Sequence, residues 1–124
     1  MNLKKLFLEY CAEKKFEINQ NQIDIIKHLQ YYYTQNFKKH FFDKFFNKKI
    51  NKLGFYLTGD VGVGKTMILN FFFDKLKQKK LRFHFNEFMI NFHDFAFQNK
   101  DNEKVNVIDY FVEDLKKRTE LIYF

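Results

Sequence analysis

The sequence lacks serine, proline and tryptophan, and it has one cysteine and four glycines. Without serine, nucleophilic catalysis by a seryl hydroxyl is excluded. The single cysteine, Cys11, excludes a disulfide within the chain and a metal site built from several cysteines, so we expect a reducing compartment. A continuous run of about 18 apolar residues is also missing, which predicts a soluble core and no transmembrane helix.

The N-terminal residues 1–20 have neither an apolar h-region nor the acid-poor, arginine-rich composition of a transit peptide. We therefore expect a cytoplasmic protein. The formal net charge of +7 would suit a polyanionic partner. However, the lysine pairs at 38–39, 48–49, 79–80 and 116–117 are spread along the chain with acidic residues between them. They are more typical of solvated helix faces than of a nucleic-acid footprint, so we do not expect nucleic acid as the main partner.

The four glycines all lie in a short region, and three of them fall in a strict G-x-x-x-x-G-K-T pattern, the Walker A loop. The residues predicted to bind nucleotide are Gly59, Asp60, Val61, Gly62, Val63, Gly64, Lys65, Thr66 and Met67. A β-prone run at Phe55–Thr58 precedes the loop, and a stretch suited to a helix, Met67–Leu76, follows it. This order of strand, loop and helix is the context that the motif requires.

The residue types explain the chemistry. Glycines without a Cβ let the backbone curl so that successive N–H groups face a phosphate, and the following helix adds the positive end of its dipole. Lys65 is predicted to be the catalytic residue that reaches the β- and γ-phosphates, and the Thr66 hydroxyl is predicted to be a ligand of Mg²⁺. The sequence therefore predicts binding of ATP with Mg²⁺.

Two helices are predicted before the loop. The first has apolar positions from Leu3 to Cys11, and the second is capped by Asn19 or Asn21 and has a stripe from Ile23 to Tyr33. Phe37–Lys52, with paired phenylalanines among lysines, is interpreted as a short amphipathic helix or a tether. Its composition also leaves peripheral membrane contact through residues 41–49 open.

After the loop helix, strands and helices alternate. Leu81–Phe85 alternates as a strand, Asn86 is predicted to cap a helix that reaches Phe97, and Val107–Leu115 is predicted to be a further helix. Glu120–Phe124 is predicted to be another strand. The pattern predicts an α/β fold with a parallel sheet.

Several of these segments together resemble the ZapE family of AAA+ ATPases, which joins bacterial cell-division ATPases to relatives of the mitochondrial inner membrane. The resemblance is carried by Gly54–Gly62, by Gly64–Leu69, and by Arg82–Met89 followed by His93. The sequence departs from the family pattern at Val63, at Asn70, where the family tends to have Asp, and at Asn86, where it has His.

The resemblance implies a P-loop NTPase core of the AAA+ type, incomplete in this chain and preceded by N-terminal helices. The implied domains are an N-terminal helical segment, 1–52, and the first part of the ATPase core, 53–124. ATP hydrolysis would be coupled to the handling of partner proteins, such as division-ring or inner-membrane proteins. A homo-oligomer of the full-length form and a location peripheral to the inner membrane are also implied.

In the family, the Walker B residues Asp-Glu-Phe follow a strand like Glu120–Phe124 and supply the catalytic base. The chain is therefore expected to be an N-terminal fragment that is inactive alone. Asp109 is a weak substitute, because a helical pattern follows it. His84 and His93 match family positions, although hydrogen-bonded core residues would explain them equally well. A nucleotide-binding module without catalysis and a basic nucleic-acid-associated protein remain the alternatives.

Overall fold

The computed structural model describes residues 1–37, 53–60, 62, 64–100 and 106–124. It divides the chain into two compact units, Met1–Lys75 and Leu76–Phe124. The predicted tether lies outside the described residues apart from Phe37, and the predicted domain boundary after residue 52 stays a prediction. Among the helices in the described ranges, none is both long enough and apolar enough to cross a membrane.

The first unit contains three helices. They are α1 (Leu3–Lys14), α2 (Gln20–Phe37) and α3 (Lys65–Lys75). Asn2 caps α1 by accepting a hydrogen bond from the Lys5 N–H, and Asn19 accepts one from the Asn21 N–H at the start of α2. Of the two predicted caps for the second helix, Asn19 is therefore the one that acts.

The core of the first unit combines residues of the two predicted apolar stripes with three residues of α3. The buried residues are Leu3, Phe7 and Cys11 of α1, Ile23, Ile26, Leu29 and Tyr32 of α2, and Ile68, Phe71 and Phe72 of α3. The ring of Phe7 packs edge-on against that of Phe71 with centroids 5.2 Å apart. Burial raises the pKa of the Cys11 thiol, because it disfavours the thiolate. The helix that follows the glycine loop is thus fixed by the two N-terminal helices.

The second unit contains two strands and two helices. They are β1 (Lys80–Arg82), α4 (Phe85–Gln98), α5 (Val107–Arg118) and β2 (Leu121–Tyr123). β1 and β2 pair in parallel, with Leu81 opposite Ile122. This register confirms the predicted parallel pairing. Parallel strands need a crossover connection, and here α4 and α5 lie between the two strands in the chain. The sheet of the described residues has these two strands alone.

Aromatic rings hold α4 and α5 together. Phe111, buried in α5, lies 5.2–5.7 Å from three rings of α4. These are the rings of Phe88, Phe92 and Phe95. The buried hydroxyl of Thr119 bonds the Lys79 carbonyl at 2.9 Å and so ties the entry of β2 to that of β1. By contrast, no residue of α4 is fully buried.

Two local predictions are wrong. Asn86 does not cap α4, because the helix already begins at Phe85 and His84 occupies the cap position without a side-chain bond. The backbone of His84 serves instead, accepting from the Phe88 N–H at 3.0 Å. The second error concerns Phe55–Thr58, which is not a strand: Tyr56 is 88% exposed. An extended segment needs a neighbouring strand for its backbone groups, and no described strand pairs with it.

Candidate nucleotide-binding site

The glycine loop adopts a backbone that requires glycine. Gly62 and Gly64 have φ angles of 85° and 80°, in the left-handed region that side chains with a Cβ rarely adopt. Gly62 has open space around it, whereas a Cβ on Gly64 would lie 3.0 Å from Nε2 of Gln22. The pattern of glycines therefore reflects a backbone need at both positions and a close contact at Gly64.

Lys65 is the first residue of α3, and its side chain lies back across the loop. Its Nζ donates to the carbonyl oxygen of Gly59 at 2.7 Å and also to that of Asp60. An ammonium group carries three N–H donors. Two of them hold the lysine over the loop, and a third can be donated to a phosphate oxygen.

The charges around the start of α3 favour an anion. The first turn of α3 has no acidic residue, and the positive end of the helix dipole adds to the charge of Lys65. The first turn of α2, which contains Gln22, has no acidic residue either. The start of α3 and Lys65 thus place positive charge next to Gly64, as the predicted phosphate-binding loop requires.

Thr66 is exposed in the first turn of α3, where its hydroxyl is accessible to a metal ion. Within the described ranges, no group of three or more His, Cys, Asp or Glu side chains could hold a metal. A hydroxyl oxygen such as that of Thr66 is a hard donor of the kind that Mg²⁺ accepts.

A cleft of about 420 Å³ follows α3 beyond Thr66. Its walls are formed by α3 and by Tyr10 of α1; the α3 residues are Thr66, Met67, Asn70, Phe71, Asp74 and Lys75. Oδ1 of Asn70 is buried there and has no hydrogen-bond partner in the described part of the chain. This is the position where the family pattern tends to have Asp.

The segment before the loop is held by a tyrosine. The Tyr32 hydroxyl donates to the Leu53 carbonyl at 3.2 Å, and its ring packs against that of Phe55 with centroids 6.0 Å apart. Burial raises the pKa of Tyr32, so the hydroxyl keeps the proton that it donates. α2 therefore positions the entry to the loop as well as packing against α3.

The predicted site residues divide into three groups. Gly59, Asp60, Gly62, Gly64, Lys65, Thr66 and Met67 lie together in the first unit, while Val61 and Val63 lie outside the described residues. Asp109 lies in the second unit, in the first turn of α5.

The two family histidines are also in the second unit, at the start of α4 and within it. Both His84 and His93 are exposed, so the interpretation of them as buried core residues is wrong.

One contact of the loop was not predicted from the sequence. Gln22 lies against Gly64. The sequence around Gln22 gives no sign of this contact, except that Gln22 follows the helix cap Asn19 by three residues. A contact between residues so far apart in the chain depends on how α2 packs against α3, which no local pattern reveals.

Parts of the chain are similar to known proteins. An uncharacterized protein of Schizosaccharomyces pombe, C115.02c, is 32% identical over 76 residues, which cover 57% of this chain and 17% of that protein. Lactation elevated protein 1 homolog B of Danio rerio is 44% identical over 41 residues, 32% of this chain and 8% of that protein. The matched stretches thus cover less than a fifth of these relatives. No solved structure matches significantly.

The family comparison covers nearly all of the chain. Residues 2–124 match the AFG1-like ATPases, the family that includes the ZapE proteins. The match confirms the resemblance drawn from the glycine loop and from Arg82–Met89. The chain belongs to the AFG1-like ATPase family.

Proposed function

We propose that this chain binds ATP in the loop from Gly59 to Thr66, with Met67 beside it, and that the complete protein hydrolyses ATP. The observation that supports this most directly is Lys65, held across a loop of glycines with positive φ by its bonds to Gly59 and Asp60. A lysine in that position neutralises phosphate charge and keeps one donor for it.

Each residue of the loop has a distinct role in this proposal. The backbone N–H groups and the start of α3 bind the phosphates, and Lys65 stabilises the charge that develops on them during transfer. The Thr66 hydroxyl would hold Mg²⁺, and the ion would supply positive charge that neutralises the phosphates. Glycine at 62 and 64 lets the backbone approach the phosphates closely.

Hydrolysis in the complete protein would be coupled to the handling of partner proteins. Membership of the family supports ATPase activity at the family level. Division-ring or inner-membrane proteins as partners, a homo-oligomer and a location at the inner membrane come from the family resemblance. The buried, single Cys11 fits the proposed reducing, cytoplasmic setting, because it needs no disulfide partner.

The test is a calorimetric titration of the folded chain with Mg²⁺-ATP. We expect Lys65→Ala to lower the affinity by more than tenfold, since a hydrogen bond to a charged group contributes about 1.5–3 kcal/mol. Lys14→Ala is the matched control, because Lys14 is an exposed lysine in the last turn of α1, outside the loop. Equal affinities of the two variants would contradict the proposed site.

The same titration tests the metal role of Thr66. Thr66→Ala should weaken ATP binding in the presence of Mg²⁺ and leave the binding measured in a chelator nearly unchanged, because the hydroxyl acts through the ion. An equal loss in both conditions would mean that Thr66 supports the fold of the loop instead.

A further inference from the structure

We infer that Gln22 is the residue that recognises the base of the bound nucleotide and that its amide selects adenine over guanine. This inference rests on the proposed nucleotide site. It concerns a residue of α2, outside the Walker A pattern, whose side chain contacts the loop at Gly64.

The position of the Gln22 side chain supports this role. A Cβ added to Gly64 would lie 3.0 Å from Nε2 of Gln22 and 3.7 Å from Cε of Met67. The amide and the thioether thus both lie near the place where a Cβ of residue 64 would be, next to the last glycine of the loop. An apolar, polarisable methionine next to an amide can hold a purine ring and leave its edge to the amide.

The hydrogen bonding of Gln22 is incomplete. Its Oε1 is buried and has no hydrogen-bond partner within the described part of the chain. A buried acceptor without a partner costs free energy, and a ligand that donates to it recovers that cost. The terminal torsion of glutamine is soft, so the amide can turn towards a ligand without moving α2.

The chemistry of an amide fits adenine. One edge of adenine presents an amino donor at N6 beside an acceptor at N7, and a glutamine amide pairs with both through its oxygen and its nitrogen. The same edge of guanine presents two acceptors, O6 and N7. Whichever way the amide is turned, its oxygen faces either O6 or N7 of guanine. Two acceptors then oppose each other, so binding of guanine is disfavoured.

The experiment compares three probes on the whole chain: ATP, GTP and inorganic triphosphate, each with Mg²⁺. The variants Gln22→Leu and Gln22→Met keep the side-chain volume and remove the amide. Gln35→Leu is the matched control, because Gln35 is an exposed glutamine of the same helix.

We expect the wild type and Gln35→Leu to bind ATP more tightly than GTP. Both Gln22 variants should lose about tenfold in ATP affinity and retain their affinity for GTP and for triphosphate. The ratio of ATP to GTP affinity would then fall towards one.

The possible failures are distinguishable. If the wild type binds neither ATP nor triphosphate, the proposed nucleotide site is wrong and the role of Gln22 is wrong with it. If both Gln22 variants lose triphosphate as strongly as ATP, the site stands and Gln22 supports the loop without contacting the base. An unchanged preference for ATP in both variants would likewise overturn the inference.

Discussion

At the scale of single residues, Gly64 shows how one position serves both backbone and packing. Its φ of 80° is unfavourable for any residue with a Cβ, and its lack of a side chain makes room for the Gln22 amide. Gly62 shares the positive φ but has nothing within 4 Å, while Gly54 has neither a positive φ nor a close neighbour. Comparing the three glycines therefore distinguishes the effect of a positive φ, present at Gly62 and Gly64, from that of a close neighbour, present at Gly64 alone.

These differences predict a graded series of alanine variants. Gly62→Ala and Gly64→Ala should each weaken ATP binding by about five- to thirtyfold, since a left-handed conformation costs a residue with a Cβ roughly 1–2 kcal/mol. Gly64→Ala should in addition reduce the preference for ATP over GTP, because its Cβ displaces Gln22. Calorimetric titration measures both effects.

Gly54→Ala is the control for this series and should bind ATP like the wild type. A Gly64→Ala variant with unchanged ATP affinity would show that the loop does not bind phosphate in the described conformation.

At the scale of helices and strands, the elements followed from the sequence where the signal was local. The stripes of α1 and α2 and the parallel strands at Leu81 and Ile122 were predictable, because periodicity and β-propensity act within a few residues. The glycine loop, with positive φ at Gly62 and Gly64, agrees with its motif for the same reason, since the motif fixes spacing and residue type together.

The errors arose where partners distant in sequence decide the outcome. Phe55–Thr58 has strand propensity but lacks a described neighbour to pair with, and Gln22 meets Gly64 only through the packing of α2 on α3. At the start of α4, the backbone of His84 makes the first helical bond, so Asn86 falls inside the helix whatever its capping preference.

The support of α3 by α1 gives a prediction about this element. Phe7 is fully buried against Phe71, so Phe7→Ala should lower the free energy of unfolding by about 3–5 kcal/mol. The free energy of unfolding of a whole domain is about 5–15 kcal/mol. The variant should therefore lose much of its helical signal and its ATP binding at low urea concentrations.

The matched control is Phe16→Ala, which removes a phenylalanine just after the same helix that is 46% exposed. Its unfolding midpoint in urea, followed by circular dichroism, should lie close to that of the wild type, since exposed substitutions usually change stability by about 0.5 kcal/mol or less. If the two variants unfolded at the same midpoint, Phe7 would not be a core residue of the first unit.

At the scale of the whole molecule, each of the two units leaves apolar side chains in contact with water. Leu53 and Tyr56 of the first unit are 78% and 88% exposed, and Phe97 of α4 is 70% exposed. The segment Phe55–Thr58 is exposed apart from Leu57, so water can bind its backbone groups. The chain therefore has a deficit of hydrophobic burial. Each large apolar side chain that stays exposed does not contribute the stabilisation of about 1.5–3 kcal/mol that its burial would give.

This deficit predicts that residues 1–124, expressed alone, are marginally stable and catalytically silent. Several unburied side chains at 1.5–3 kcal/mol each approach the whole stability of a domain, about 5–15 kcal/mol, and two paired strands add little. Turnover also needs a base near the γ-phosphate, and the family resemblance assigns that base to a Walker B segment.

We expect a broad thermal transition, binding of a hydrophobic dye before melting, and ATP turnover no higher than that of Lys65→Ala, which reports contaminating activity. A sharp cooperative melt together with several turnovers per minute above that background would contradict both parts, because residues outside the described ranges would then have to supply the pairing and the base.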